Sequence, residues 1–189
     1  SSSSWWMVAV SRSTSLRVSS RMSSTSSIKA SAMLSAGSMR TTRELVSVPA
    51  ECLAPKPAGF NWVQAAALPL VGLTTYRALF ARGRLRAGES MLVVGAGGGI
   101  ATMAVQLASH AGAAIIVTSS AADKIAHAVA EGASDGVLHT DPDWPEQARA
   151  MSPSGAGFDL VLDPVGRWTE SVRALRPGGR LVVLGANAA

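Results

Sequence analysis

The strongest constraint in this sequence is a junction: the apolar run Met91-Leu92-Val93-Val94 passes directly into Gly95-Ala96-Gly97-Gly98-Gly99-Ile100-Ala101. A strand with no polar face must be covered on both sides, which is the condition of an inner strand in a parallel sheet. Glycines placed directly after it permit a tight turn and a close approach of backbone to a ligand. A helix that starts there turns its unbonded amides and the positive end of its dipole toward the same place. Ile100, Met103, Ala104, Leu107 and Ala108 recur at helical spacing and read as that helix's buried face.

The pattern then repeats. Ile115-Ile116-Val117-Thr118 is a second buried strand, followed by a helix over 121–131 that Gly132 ends. Val137-Leu138 is a short third strand, residues 141–151 a helix with Trp144-Pro145 in its first turn, and residues 158–163 a fourth strand. Residues 168–175 are helical, and Pro177-Gly178-Gly179 turns the chain into a fifth strand, Leu181-Val182-Val183-Leu184. Apolar strands alternating with amphipathic helices predict an α/β fold, a doubly wound parallel sheet of Rossmann type with right-handed crossovers. Before it, Leu45 to Pro49 reads as a short strand and Pro55-Lys56-Pro57-Ala58-Gly59 as a rigid connection. Asn61 is an N-cap candidate for a helix over 62–67, and the pattern resumes from Leu70 to Phe80 with Leu73, Tyr76, Leu79 and Phe80 on one face.

Charge divides the chain into parts. Residues 1–43 carry six basic side chains and no acid, a charge of +6, and residues 44–189 sum to −1, so the net +5 of the chain comes from its leader. With sixteen serines in residues 1–40 and no apolar periodicity, the leader is expected to be disordered. An acid-free, Arg- and Ser-rich composition also suits a transit peptide, and a linker fits equally. The organisation expected is a disordered leader over 1–43, a connecting strand and helix over 44–80, and the dinucleotide-type domain over 81–189. A near-neutral globular part gives no electrostatic reason to bind nucleic acid. Apolar runs too short for a membrane span and the lone Cys52 favour a soluble, reducing setting. The expected location is therefore cytoplasmic, or mitochondrial if the leader is a transit peptide.

The glycine turn admits two registers. In Ala96-x-Gly98-x-x-Ala101, Gly98 falls where backbone must approach a pyrophosphate and the small Ala101 keeps the helix near the sheet. The rival, Gly95-x-Gly97-x-x-Ile100, puts a branched residue where a small one is needed. The first register makes Ala96, Gly97, Gly98, Gly99 and Ile100 the candidate phosphate-binding turn. About 20 residues on, where an NAD site carries an acid, the second strand ends in Thr118-Ser119-Ser120. Ser119 and Ser120 can donate to a 2′-phosphate and Lys124 can neutralise part of its charge, so NADPH is expected over NADH.

Taken together, these residues resemble the medium-chain dehydrogenase/reductase superfamily and, within it, the quinone oxidoreductase-like and alcohol dehydrogenase-like members. The resemblance runs in order from about Glu44 to Asn187. It is carried by Val48-Pro49-Ala50, Leu53-Ala54-Pro55-Lys56-Pro57, Ala66-Ala67-Leu68-Pro69, Gly72-Leu73-Thr74-Thr75-Tyr76 and the glycine turn with Gln106-Leu107-Ala108. Further on it is carried by Gly132-Ala133, Asp163-Pro164-Val165-Gly166, Pro177-Gly178-Gly179-Arg180 and Leu184-Gly185.

The resemblance implies an NADP(H)-dependent oxidoreductase acting on a quinone, enone, aldehyde or alcohol. The alternative is a non-catalytic nucleotide-binding module or inactive fragment. It further implies that Thr74 or Thr75 lies by the nicotinamide, with a helix-start cap as the other reading. His139 would stand near the adenosine phosphate. Asp163 would line the cleft or cap the following turn, and Gly185 would close the cofactor set. Zinc-using relatives place a cysteine where Leu70 stands, so no zinc site is expected on this chain. The family's N-terminal catalytic domain has no counterpart in residues 1–43 and no sixth strand follows the fifth. The expectation is therefore a small-molecule substrate, weak cofactor binding and no turnover by this chain alone, with an open sheet edge that leaves self-association into a homo-oligomer undecided.

Overall fold

The computed structural model describes residues 28–34, 41–48 and 54–184, which fall into two compact units, Ser1–Leu73 and Thr74–Ala189. In the first, β1 (Ile28–Leu34) pairs antiparallel with β2 (Thr41–Val48), with a register shift between Ala30 and Ala32. β1 and the start of β2 fall within the leader, 1–43. Ile28, Ala30, Ala32 and Leu34 alternate with Lys29, Ser31 and Met33, a period-two pattern that the serine content conceals. The strand expected from Leu45 begins earlier, at Thr41, within a run of β-branched residues.

α1 (Trp62–Tyr76) starts where the sequence places it. Asn61 Oδ1 accepts the Gln64 N–H at 2.9 Å and Gln64 Oε1 accepts the Asn61 N–H at 2.9 Å, a reciprocal cap. The helix runs through Pro69 to Tyr76, and a π-helical segment, Arg77–Arg82, carries the chain to Gly83.

The second unit is built on a five-stranded parallel sheet. Its strands are β3 (Ser90–Val93), β4 (Ala114–Ser119), β5 (Asp135–Leu138), β6 (Phe158–Asp163) and β7 (Leu175–Val183), in the order β5-β4-β3-β6-β7. The connections carry α2 (Gly99–His110), α3 (Ala122–Ala130), α4 (Trp144–Ala150) and α5 (Trp168–Ala174). The chain winds outward from β3 on one side and, after crossing back, outward from β6 on the other. The carboxyl ends of β3 and β6 therefore flank the switch point where doubly wound folds bind ligands.

Alternate strand residues feed two cores. Met91, Val93, Ile115, Val117, Leu160 and Leu162 face α2, α3 and the π-helical segment, while Leu92, Val94, Ile116, Val161 and Phe158 pack with Trp144, Ala148 and Ala174. The face of α2 that meets the sheet is Ala101, Ala104, Val105 and Ala108, with Ile100 and Leu107 only partly buried and Met103 at the margin. The expected face is thus corrected by a rotation toward the alanines, because small side chains let the helix lie closest to the strands. Pro177-Gly178-Gly179 also differs from expectation. It lies within β7 as an irregularity, since Phe158 pairs with Leu175 while Leu160 pairs with Arg180.

At the amino end of the sheet, Asp159 joins three strands. Its Oδ2 accepts both the N–H and the hydroxyl of Ser90 at 2.8 Å, and its Oδ1 accepts Arg176 Nε–H at 2.6 Å. Burial pushes this carboxyl up, but the bonds from Ser90 and the Arg176 guanidinium outweigh it and hold the group below the usual aspartate value. A depressed carboxylate contributes stability above its unfolded-state pKa and loses it as pH falls through the folded value. Asp159→Ala is therefore expected to lower stability by about 1–3 kcal/mol at pH 7, with the difference from the parent shrinking below about pH 4. Urea denaturation of both proteins across that range checks it.

Candidate functional site

The turn leaving β3 is forced by backbone geometry. Gly95 and Gly97 have φ of +84° and +101°, values that disfavour any other residue. Packing adds to this at both positions. A Cβ on Gly95 would sit 2.4 Å from Val165 Cγ2, and one on Gly97 would sit 2.9 Å from Lys124 Cδ. Gly98 differs. Its φ is −89°, and a Cβ there would meet nothing within 4 Å. Neither conformation nor protein packing demands glycine at that position, so bare backbone is left facing outward. Gly98 is also the N-cap of α2 and supplies no side-chain cap, and Gly97, Gly98 and Gly99 are exposed. Ala101, by contrast, is buried against the sheet. These features match the register Ala96-x-Gly98-x-x-Ala101 and fit a phosphate group resting on the start of α2.

Thr118 at the end of β4 fixes the turn. Its carbonyl accepts the Ala96 N–H at 2.6 Å and its hydroxyl accepts the Gly95 N–H at 3.1 Å. The same Oγ1 lies 3.1 Å from His139 Nδ1. The hydroxyl thus bridges the Gly95 amide and the imidazole, with the ring's tautomer setting which of the two donates between Oγ1 and Nδ1. Burial, then the charge of Arg167, then that of Lys124, lowers the His139 pKa below the ordinary histidine value, so the ring is neutral at pH 7. The sequence reading of Thr118 stopped at its place in the strand. A hydroxyl on a β-branched residue at the last inner position was the available signal.

On the other side of the switch point, Asp163 is fully buried. Its Oδ1 accepts the N–H groups of Val165 at 2.9 Å and Gly166 at 2.8 Å, and its Oδ2 accepts the Ser171 hydroxyl at 3.0 Å. Of the two roles considered for it, the cap on the following turn is the one the geometry shows. Both oxygens are engaged in shaping the loop from Pro164 to Arg167, whose Val165 lies against Gly95.

The remaining candidates are placed as follows. Ser119 is buried, with its hydroxyl 3.4 Å from the Ala121 amide, while Ser120 and Lys124 are exposed beside the turn. Ile100 is partly buried in the first turn of α2. Thr74 and Thr75 lie in the last turn of α1, which corrects the helix-start reading, because α1 continues through Pro69 and Leu70 without a break. Thr75 is buried and its hydroxyl has no hydrogen-bond partner among the described residues. Gly185, Cys52, Pro49 and Leu53 lie outside the described residues. Among the described residues no three metal-ligating side chains cluster, and Leu70 offers no ligand atom. No helix among them is long and apolar enough to cross a membrane.

The family model for zinc-binding dehydrogenases matches residues 99–189. A solved quinone oxidoreductase from Thermus thermophilus, described with its NADPH complex, is 38% identical with a TM-score of 0.69, over 78% of this chain and 47% of that one. The chain belongs to the medium-chain dehydrogenase/reductase superfamily. A solved NAD-dependent alcohol dehydrogenase is 37% identical with a TM-score of 0.73, over 76% of this chain and 42% of that one. The 2-methylene-furan-3-one reductase of Solanum lycopersicum is 32% identical over 142 residues, 75% of this chain and 34% of the reductase. The chain thus spans less than half of each of these oxidoreductases.

If Thr118 holds the turn as described, Thr118→Val, nearly the same shape, orphans the Gly95 amide and removes the partner of His139 Nδ1. A loss of about 1–3 kcal/mol in denaturant unfolding is expected. In NMR spectra the Gly95 amide and the His139 ring should shift together while resonances of β7 stay in place.

Proposed function

We propose that residues 74–189 bind a nicotinamide dinucleotide, NADPH in preference to NADH, for zinc-independent hydride transfer to a quinone, enone, aldehyde or alcohol. The observation that carries this reading is the pair Gly98 and Lys124. The first is a glycine whose missing side chain serves no packing need, and the second is a cation lying over the same turn. When bound, the cofactor supplies the hydride, and the protein's share is orientation and electrostatics.

Each part of the site has a role in that reading. Ala96, Gly97, Gly98, Gly99 and Ile100 would present the turn and the first amides of α2 to the diphosphate. Ser120 and Lys124, beside the turn, would take the 2′-phosphate, and the buried Ser119 would hold the strand end that presents them. No carboxylate ends β4, so the acid that usually receives a ribose hydroxyl is not at its usual position. His139, neutral, would offer its Nε2 for a hydrogen bond toward the adenosine side. Asp163 would act by shaping the loop that walls the cleft. Thr75, with its buried hydroxyl unpartnered, and Thr74 beside it would lie toward the nicotinamide, and Gly185 would follow the last strand. Orientation of this kind is a large part of what a hydride-transfer enzyme contributes, because the reacting carbons must be held within contact distance and in line.

The test separates the two cofactors. Lys124→Glu is expected to weaken NADPH binding about tenfold or more while changing NADH binding by less than about twofold, as measured by cofactor fluorescence titration. Equal losses for both, or none, would contradict the assignment.

A further inference from the structure

The turn after β3 is walled on its far side by the loop after β6, and that loop ends in a cation that the sequence motifs do not single out. Its path is tightly set. Asp163 takes the amides of Val165 and Gly166, and Val165 Cγ2 occupies the space beside Gly95. Arg167 follows directly, partly exposed, with its backbone carbonyl accepting the Ser171 N–H at 2.9 Å. Among the described residues it pairs with Glu170 at 3.9 Å, too long for a hydrogen bond and partly exposed on both sides, so the guanidinium fork is not saturated by it.

Two observations say where that fork acts. The first is strand order: β6 adjoins β3, so the loop after β6 is one strand spacing, about 4.8 Å, from the glycine turn, whereas the end of β4 is about twice as far from that loop. The second is electrostatic: Arg167 acts on His139, which is itself tied to Gly95 through Thr118, and does so more strongly than Lys124. The Arg167 charge is therefore felt at His139, the ring that Thr118 ties to the glycine turn.

Resting on the dinucleotide reading above, we propose that Arg167 is the second arm of a clamp on the cofactor's diphosphate. The glycine turn supplies backbone donors on one side and the guanidinium closes from the β6 side. A planar fork matches two phosphate oxygens at once, which a lysine at the same place does not. The division of labour follows: Arg167 reads the diphosphate that all dinucleotides share, and Lys124 reads the 2′-phosphate that only NADP carries.

The experiment titrates the full chain with NADPH, NADH and ADP-ribose, comparing the parent with Arg167→Gln, Arg167→Lys and Lys124→Glu. Arg167→Gln is expected to weaken all three ligands by a similar factor of about ten or more, and Arg167→Lys to recover only part of that. Lys124→Glu should affect NADPH alone. If Arg167→Gln spares NADH and ADP-ribose while weakening NADPH, Arg167 belongs to the 2′-phosphate and the clamp is wrong. Unchanged binding of all three ligands overturns it as well. Should Arg167→Gln lower the melting temperature, Arg167→Lys decides, because it keeps the charge and the stem: full affinity for all three ligands would refute the fork. Failure of the parent to bind any of the three would instead defeat the dinucleotide reading, and the clamp with it.

Discussion

Thr118 sets the geometry on which the site depends. Through its carbonyl and its hydroxyl it takes the amides of both Ala96 and Gly95, so two consecutive residues of a tight turn are pinned to the end of the neighbouring strand. The bonds lie at the buried edge of a sheet whose inner strand is wholly inaccessible. There an unmet amide costs the full desolvation of the group. Everything outside the turn follows from where Thr118 puts it: the direction of α2, the bare face of Gly98, the approach of Val165, and the orientation of the His139 ring.

The second constraint is a buried charge converted into architecture. Asp163 has no solvent, yet its oxygens meet three protein donors, two of them backbone amides of the loop it precedes. An unsatisfied carboxylate there would be costly, so the loop is held in the one path that supplies those donors. The consequence is a rigid wall on the β6 side of the switch point. Basic side chains stand on three different connections, Lys124 after β4, His139 after β5 and Arg167 after β6. The two permanent charges among them, together with burial, push His139 toward its neutral form.

Much of this was legible in the residues. The apolar runs of β3, β4 and β6 could only be inner strands, and Ala101, small as the expected register requires, is buried against the sheet. What the sequence could not carry was side-chain direction. In Thr118-Ser119-Ser120 all three hydroxyls are alike on paper, but the first turns inward to hold the turn, the second is buried at the strand end and only the third is exposed. On α2 the spacing pointed to Ile100, Met103, Ala104, Leu107 and Ala108; Ala104 and Ala108 are buried, but close approach to the sheet selected Ala101 and Val105 over Ile100, Met103 and Leu107. Asp163 offered two roles until its donors could be seen.

The central claim is that the side chain missing at Gly98 leaves room for a ligand. The most direct measurement is the paired stability and NADPH affinity of Gly98→Asp. Gly98 has N-cap geometry with open space around its Cβ, so aspartate should cap α2 and complement its dipole. Thermal stability is expected to stay level or rise by up to about 1 kcal/mol. The same carboxylate would occupy and repel the phosphate position, so NADPH binding should fall below detection. A Gly98→Asp protein that binds NADPH as tightly as its parent would contradict the account.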